Sequence, residues 1–331
     1  MTLLLTDEDV RRAMDMPAMV GAVEGALREE GEGSALQPER LNLSSGAMLF
    51  RVMPVMLPGN NLMGFKAFHG SKTGGWRYLV AVYDATEGAL LALMDAHYLT
   101  AARTGAASGV ATKFLARPDS RRVAVIGSGL EARTNLEAVC AVRPVQEVRV
   151  FSPRPERRER FAQEMSAELG IPVRAAGVPE EAVRGADIVV VATNTTPGGG
   201  GIAFQGDWME AGMHVNSIGS TMASLREIDA GTFRRADRIV IDAPREQLER
   251  ESGDVIDAQQ QGCFEPGRVE SLKDVVLRAA GEGRSPEAVT LYKSVGEALQ
   301  DVSAGHAIYL AARERGIGTD LGEFLLQKRI G

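Results

Sequence analysis

The sequence predicts an α/β protein, with a doubly wound sheet through its middle and an antiparallel sheet of different architecture ahead of it. Three observations carry that expectation. From Arg121 onward, apolar β-branched runs alternate with helical patterns, the rhythm of strand–helix–strand units. Between Glu39 and Met94, strand signals follow one another with only turn residues between them. At the start of the first region the apolar run 123–126 breaks on Gly127-Ser128-Gly129, and a helical pattern opens at Leu130.

The elements follow in order. Thr6 ahead of Asp7-Glu8-Asp9 reads as a helix N-cap with first-turn acids, and a helical pattern over 16–30 stops at Gly31-Glu32-Gly33. Strands are expected at 48–56, 62–69, 78–83 and 90–94, with turns at 58–61, 70–75 and 84–88. A helix rich in small residues spans 97–115. The doubly wound part then gives strands at 147–151, near Val173, and at 187–192, 213–218 and 238–242, with helices at 156–169 and 179–183. A strand-like 288–292 precedes a last long helix over 295–315. The glycine run 198–201 reads as a loop, since no helical pattern follows it.

Composition narrows the function classes. A chain of 331 residues, 44% hydrophobic and 24% charged, has room for two soluble domains. Its net charge of −7 argues against a nucleic-acid surface. Cys140 and Cys263 read as reduced thiols, and neither they nor the four histidines show metal-ligand spacing. The first residues are too short for a signal segment and no apolar run reaches membrane-spanning length, so the expected location is cytoplasmic.

A bare Gly-x-Gly-x-x-Ala often marks only a tight turn. Here strand, turn and helix fall in order, which points to a dinucleotide. Gly127 would allow the turn, Gly129 the close approach of the diphosphate, and Ala132 the packing of helix on strand. Ser128 and Leu130 complete the cradle, whose N–H groups and helix dipole suit an anion. The end of the second strand reads Phe151-Ser152-Pro153-Arg154, without the acid that bonds a 2′-hydroxyl. A hydroxyl at Ser152 and a guanidinium at Arg154 suit a 2′-phosphate, so NADP is favoured over NAD. Thr193 and Asn194, and Ser217 and Gly219, fall at the carboxyl ends of their strands and should border the nicotinamide and its ribose.

Arg103 stands in the middle of the small-residue helix. Its neighbours at three and four residues are Leu99, Thr100, Ala106 and Ala107, so no acid on that helix can neutralise it. The anion it needs comes from elsewhere: a distant Asp or Glu, or a ligand.

Together, Gln37-Pro-Glu-Arg40, Met63-Gly-Phe-Lys66, Leu99-Thr-Ala-Ala-Arg-Thr-Gly-Ala-Ala-Ser108, Val125-Ile-Gly-Ser-Gly-Leu-Glu-Ala132, Gly212-Met-His-Val-Asn-Ser-Ile-Gly-Ser220 and Lys293-Ser-Val-Gly-Glu-Ala298 resemble the ornithine cyclodeaminase and mu-crystallin family over essentially the whole chain. The resemblance implies a Rossmann dinucleotide-binding domain (117–299) inserted in a split α+β substrate-binding and dimerisation domain (1–116 plus 300–331), and a homodimer joined through the 39–94 sheet. It also implies that Arg40, Lys66 and Arg103 grip the substrate carboxylate, Arg103 as a planar bidentate clamp whose missing anion is the substrate itself.

One departure separates the branches of that family. Where the cyclodeaminase has an aspartate two residues after the loop glycine, this chain reads Gly219-Ser220-Thr221. Threonine cannot be the anionic base of cyclisation and ammonia release. The resemblance therefore leans to the reductase branch of alanine dehydrogenases and ketimine or imino-acid reductases, with NAD(P)H reducing a small 2-imino acid or the reverse. Lys66 would stabilise or protonate the substrate, and Thr221 would donate to the imine nitrogen or position water. His69, three residues along a strand from Lys66, should face the other way. Glu227 falls outside the catalytic slot, and Asp229 reads as a cap or packing residue. The alternatives are a cyclodeaminase-type ammonia lyase using bound NAD and an NADP-loaded, mu-crystallin-like binding protein. The substrate's side chain is left open, with Arg51 or Arg77 as the extra cation an acidic one would want.

Overall fold

The structure, a computed structural model, describes all residues except 72–73, 194–200, 279–281, 283–284 and 326–331. The chain divides into two units, Met1–Ala107 with Glu297–Gly331, and Ser108–Gly296. The limits expected after 116 and 299 thus fall after 107 and 296. The first lies inside a helix.

The first unit opens with β1 (Leu3–Leu5), α1 (Asp7–Ala13) and α2 (Met16–Gly31). Thr6 and Asp9 form a reciprocal capping box at the start of α1, and Asp15 caps α2 through the Ala18 N–H. A meander follows: β2 (Leu41–Ser45), β3 (Met48–Leu57), β4 (Leu62–Ser71), β5 (Gly75–Asp84) and β6 (Leu90–Asp95), each antiparallel to the next. Then comes α3 (His97–Leu115), whose first half belongs to this unit.

The second unit contains β7 (Arg122–Ile126), α4 (Leu130–Val142), β8 (Glu147–Phe151), α5 (Pro155–Leu169), β9 (Val173–Ala175), α6 (Pro179–Val183), β10 (Ile188–Val191) and β11 (His214–Ser217). It continues with α7 (Ala230–Arg235), β12 (Arg238–Ile241), α8 (Arg245–Glu251), α9 (Gly253–Gln260), β13 (Val269–Ser271), α10 (Leu272–Val276) and β14 (Thr290–Lys293). The strands are parallel, in the order β13-β12-β14-β11-β10-β7-β8-β9. Both faces are buried. Ala124 and Ile126 of β7 and Val189 and Val191 of β10 enter one core, while Val123, Val125, Ile188 and Val190 enter the other. β7 and β10 flank the point where strand order reverses, and ligands of such sheets bind beyond the carboxyl ends there. The guanidinium of Arg143 caps the end of α3, donating to the carbonyls of Thr112, Lys113, Ala116 and Arg117.

The chain returns to the first unit through α11 (Ala298–Arg315) and β15 (Thr319–Asp320). β1 pairs with β6 in parallel and with β15 antiparallel, completing the order β15-β1-β6-β5-β4-β3-β2. The last helix starts at Ala298 rather than at the expected 295. Asp242 takes hydrogen bonds from the Ser294 hydroxyl and the Val295 and Gly296 N–H groups, which holds that segment out of the helix. The short strands β1, β2, β13 and β15 and the helices α7 to α10 were not anticipated, since few-residue elements carry little periodicity. Among the described residues no helix is long and apolar enough to cross a membrane, and no group of three His, Cys, Asp or Glu is placed to hold a metal.

Candidate active site

In the first unit, Lys66 on β4 and Arg103 on α3 converge on α11. Lys66 Nζ lies 3.0 Å, and Arg103 Nε 2.9 Å, from Asp301 Oδ1; Arg103 Nη1 donates to Gln300 Oε1 at 2.8 Å. All are buried. The Lys66 ammonium sits 5.4 Å from the Tyr78 ring centroid and 5.8 Å from that of Phe68. Two cations thus share one carboxylate oxygen. Asp301 also lies in the first turn of α11, where the helix dipole favours an anion.

This geometry corrects two expectations. Arg103 does have a carboxylate of its own chain, Asp301, so the substrate is not its missing anion. The open bidentate clamp is also absent: with Nε and Nη1 engaged, each edge of the guanidinium that could clamp a carboxylate has one nitrogen taken. Asp301 was legible in principle. Its helical neighbours at three and four residues are Glu297, Ala298, Ala304 and Gly305, so it is an acid without a local cation, as Arg103 is a cation without a local acid.

The Gln37–Arg40 segment is tied to the same helix start. Glu297 makes no side-chain cap; Gln37 Oε1 instead accepts from the Leu299 N–H at 2.8 Å, and Gln37 Nε2 donates to Glu297 Oε2. Arg40, three residues on, is half-buried just ahead of β2. Arg51 Nε donates to Asn42 Oδ1, and its guanidinium lies 5.4 Å from the Phe68 ring centroid. His69 is exposed and edge-on to Phe50, and Arg77 is exposed.

In the second unit, Gly127 has φ 126°, and a Cβ there would lie 2.3 Å from the Ala192 carbonyl oxygen, so only glycine fits. Gly129 is the N-cap of α4, with Leu130 the first helical residue; a Cβ on Gly129 would meet nothing within 4 Å. The turn therefore opens its backbone to an incoming group, as a diphosphate needs, and a dinucleotide fits these residues. Ser128 Oγ donates to Ser152 Oγ at 2.9 Å, Ser152 is buried, and Arg154 is exposed at the N-cap of α5.

Beyond β10 and β11 lies a buried ionic group. Glu227 Oε1 accepts from Ser217 Oγ and the Gly219 N–H, both at 2.7 Å, and Glu227 Oε2 accepts from the Thr193 N–H at 3.1 Å. Lys293 Nζ donates to Ser217 Oγ at 2.9 Å and lies 3.6 Å from Glu227 Oε1 and 3.2 Å from Asp254 Oδ2. Asp254 Oδ1 accepts from the Glu227 N–H at 2.9 Å. Burial raises the Glu227 carboxyl above its ordinary value, the Lys293 charge opposing and the Asp254 charge adding to the rise. Thr193, Ser217 and Gly219 are thus brought together, but the Ser217 hydroxyl points inward to Glu227 and Lys293 rather than to a ligand. Asn194 lies outside the described residues. Thr221 is half-buried just past Ser220, whose hydroxyl is locked to the Leu225 carbonyl. Asp229 caps α7 through the Thr232 N–H.

The model of the ornithine cyclodeaminase/mu-crystallin family matches residues 1–316. The chain belongs to that family. It is 30% identical over 331 residues to a Delta(1)-pyrroline-2-carboxylate reductase of Bacillus cereus, covering 96% of this chain and 99% of the relative. The structure of the Thermococcus litoralis Delta(1)-pyrroline-2-carboxylate reductase in complex with NADH and L-proline is 33% identical, with TM-score 0.87 over 96% of this chain and all of that one. An archaeal alanine dehydrogenase dimer with bound NAD is 29% identical, with TM-score 0.86 over 98% and 99% of the two chains.

Family membership explains the glycine cradle and the doubly wound sheet. Of the residues that sequence reasoning missed as a group, Gln300, Asp301, Glu227 and Lys293 are buried partners of the expected ones, and Asp254 in turn partners Glu227 and Lys293. Their signal was weak because each looks, in its own segment, like an ordinary acid, amide or lysine.

Proposed function

We propose that this chain is an NAD(P)H-dependent oxidoreductase that reduces a small 2-imino acid to the amino acid, or oxidises the matching L-amino acid. The observation that carries the reading is the convergence of Lys66 and Arg103 on Asp301 in a buried site, a cation-rich polar cluster that suits a small carboxylate. Arg40 adds a third cation from the segment anchored by Gln37. Among the described residues Asp301 Oδ2 has no hydrogen-bond donor, so it is available to the N–H of an iminium. When bound on the Gly127–Leu130 turn, the dinucleotide supplies or accepts the hydride. Lys66 steadies or protonates the substrate, and Thr221 donates to its nitrogen.

Thr221 favours this branch over cyclodeamination, because its hydroxyl cannot serve as an anionic base and the nearby Glu227 is enclosed and fully engaged. The two family members above named as pyrroline-2-carboxylate reductases support the same direction. For the cofactor, Ser152 and Arg154 favour NADP. The reading includes a homodimer, with Leu41, Leu43, Met48 and Phe50 exposed along the β2–β3 edge of the sheet as the apolar surface for a second copy.

The test is direct. NADPH absorbance should fall with pyrroline-2-carboxylate, or with pyruvate plus methylamine, and Thr221→Val should lower kcat by about tenfold with KM nearly unchanged. Ammonia and proline from ornithine, without net NADPH consumption, would instead establish the lyase. No turnover of either kind, with the dinucleotide still bound, would leave the binding-protein reading.

A further inference from the structure

The Glu227 group joins Thr193, just past β10, to Ser217 and Gly219 at the end of β11, and it does more than neutralise charge. One carboxylate accepts from the loop after β10, at the Thr193 N–H, and from the end of β11, at Ser217 Oγ and the Gly219 N–H. The loops run too close there for any side chain: a Cβ on Gly219 would lie 1.8 Å from the Thr193 carbonyl oxygen and 2.4 Å from Glu227 Oε2. Lys293 comes from β14, the neighbour of β11, and Asp254, from α9, pairs with Lys293 and accepts from the Glu227 backbone N–H, so four elements converge on this residue. Burying three ionisable side chains in one place is costly, and the hydrophobic alternative is often as stable, so stability alone is a poor reason for the arrangement.

We propose that Glu227, balanced by Lys293 and Asp254, is a positioning residue that fixes Thr193, just past β10, and Ser217 and Gly219, at the end of β11, in the arrangement that receives the nicotinamide half of the dinucleotide. This rests on the reading of the second unit as a dinucleotide site. The adenosine half belongs to the Gly127–Leu130 turn and the end of β8, whereas the Glu227 carboxylate bonds to Thr193, Ser217 and Gly219, so the two halves of the ligand separate the effects. Glu227→Gln is the informative change. It removes one negative charge and leaves Lys293 paired with Asp254, so the charge balance survives. Whichever way the amide turns, its NH2 faces either the Thr193 N–H or the Gly219 N–H with the Ser217 hydroxyl, and one loop loses its acceptor.

The experiment measures the affinities of NADH, NADPH and ADP-ribose for the full chain and for Glu227→Gln and Ser217→Ala, alongside Tm. The expected result is ADP-ribose affinity within about twofold of the parent and weakening of both dinucleotides by about tenfold in Glu227→Gln. Ser217→Ala, which keeps every charge but removes the hydroxyl bridging Lys293 and Glu227, should weaken the dinucleotides in the same selective way, and it decides the matter if Glu227→Gln fails to fold. Unchanged dinucleotide affinity in the variants, or a parallel loss for ADP-ribose, overturns the inference. A parent chain that binds none of the three ligands overturns the dinucleotide reading itself, and this inference with it.

Discussion

Lys66 and Arg103 bond to one and the same oxygen, Asp301 Oδ1, at 3.0 and 2.9 Å. A buried pair of cations would repel without that oxygen, and Asp301 holds the two together. Asp301→Ala should therefore cost about 3–5 kcal/mol of stability, measured by denaturant unfolding, because two buried cations lose their partner. Asp301→Asn keeps an acceptor and adds net positive charge. It should weaken L-proline binding by about tenfold, by removing the anion that faces the substrate nitrogen, while a carboxylate without nitrogen such as cyclopentanecarboxylate binds as well or better. Equal losses for both ligands would show that Asp301 acts on the fold alone.

The glycine turn makes a second, contrasting pair. Gly127→Ala places a methyl 2.3 Å from the Ala192 carbonyl at φ 126°, and should lower stability by more than about 2 kcal/mol. Gly129→Ala adds its methyl to open space at φ −91°, so Tm should hold while NADH affinity falls by about tenfold as the diphosphate is blocked. Thermal melts with and without NADH distinguish the two.

Cofactor choice is tested at Arg154, exposed at the N-cap of α5 just after the buried Ser152. Arg154→Ala should raise KM for NADPH by about tenfold and leave KM for NADH nearly unchanged, since only the former carries a 2′-phosphate for the guanidinium. Equal values in the parent for both cofactors, unmoved by the substitution, would remove the preference for NADP.

A fourth expectation concerns pH. The Glu137 carboxyl on α4 is pushed up to about 7, first by burial and next by the Glu168 charge. A carboxyl whose folded value is raised favours the folded state in its protonated form. Its contribution is complete below the unfolded value and is lost as pH rises through about 7. Glu137→Gln should flatten this loss, making the variant more stable than the parent by about 1–3 kcal/mol at about pH 8 but not at about pH 4. Urea unfolding at the two pH values measures it.

What the sequence determined by itself was local. The glycine turn, the buried strands 123–126 and 187–192 and the helix His97–Leu115 were legible because periodicity and turn chemistry are properties of neighbouring residues. Arg103 stood out as a cation without a local acid, Thr193, Ser217 and Gly219 by their place at the carboxyl ends of strands, and Lys66 through the family resemblance. Only the tertiary structure decided what they face. Asp301 is separated from Lys66 by most of the chain, and Glu227 and Lys293 meet Ser217 from different elements, so no local pattern could pair them. Buried charges must find opposite charges wherever the chain brings them, and that pairing is a property of packing, not of spacing.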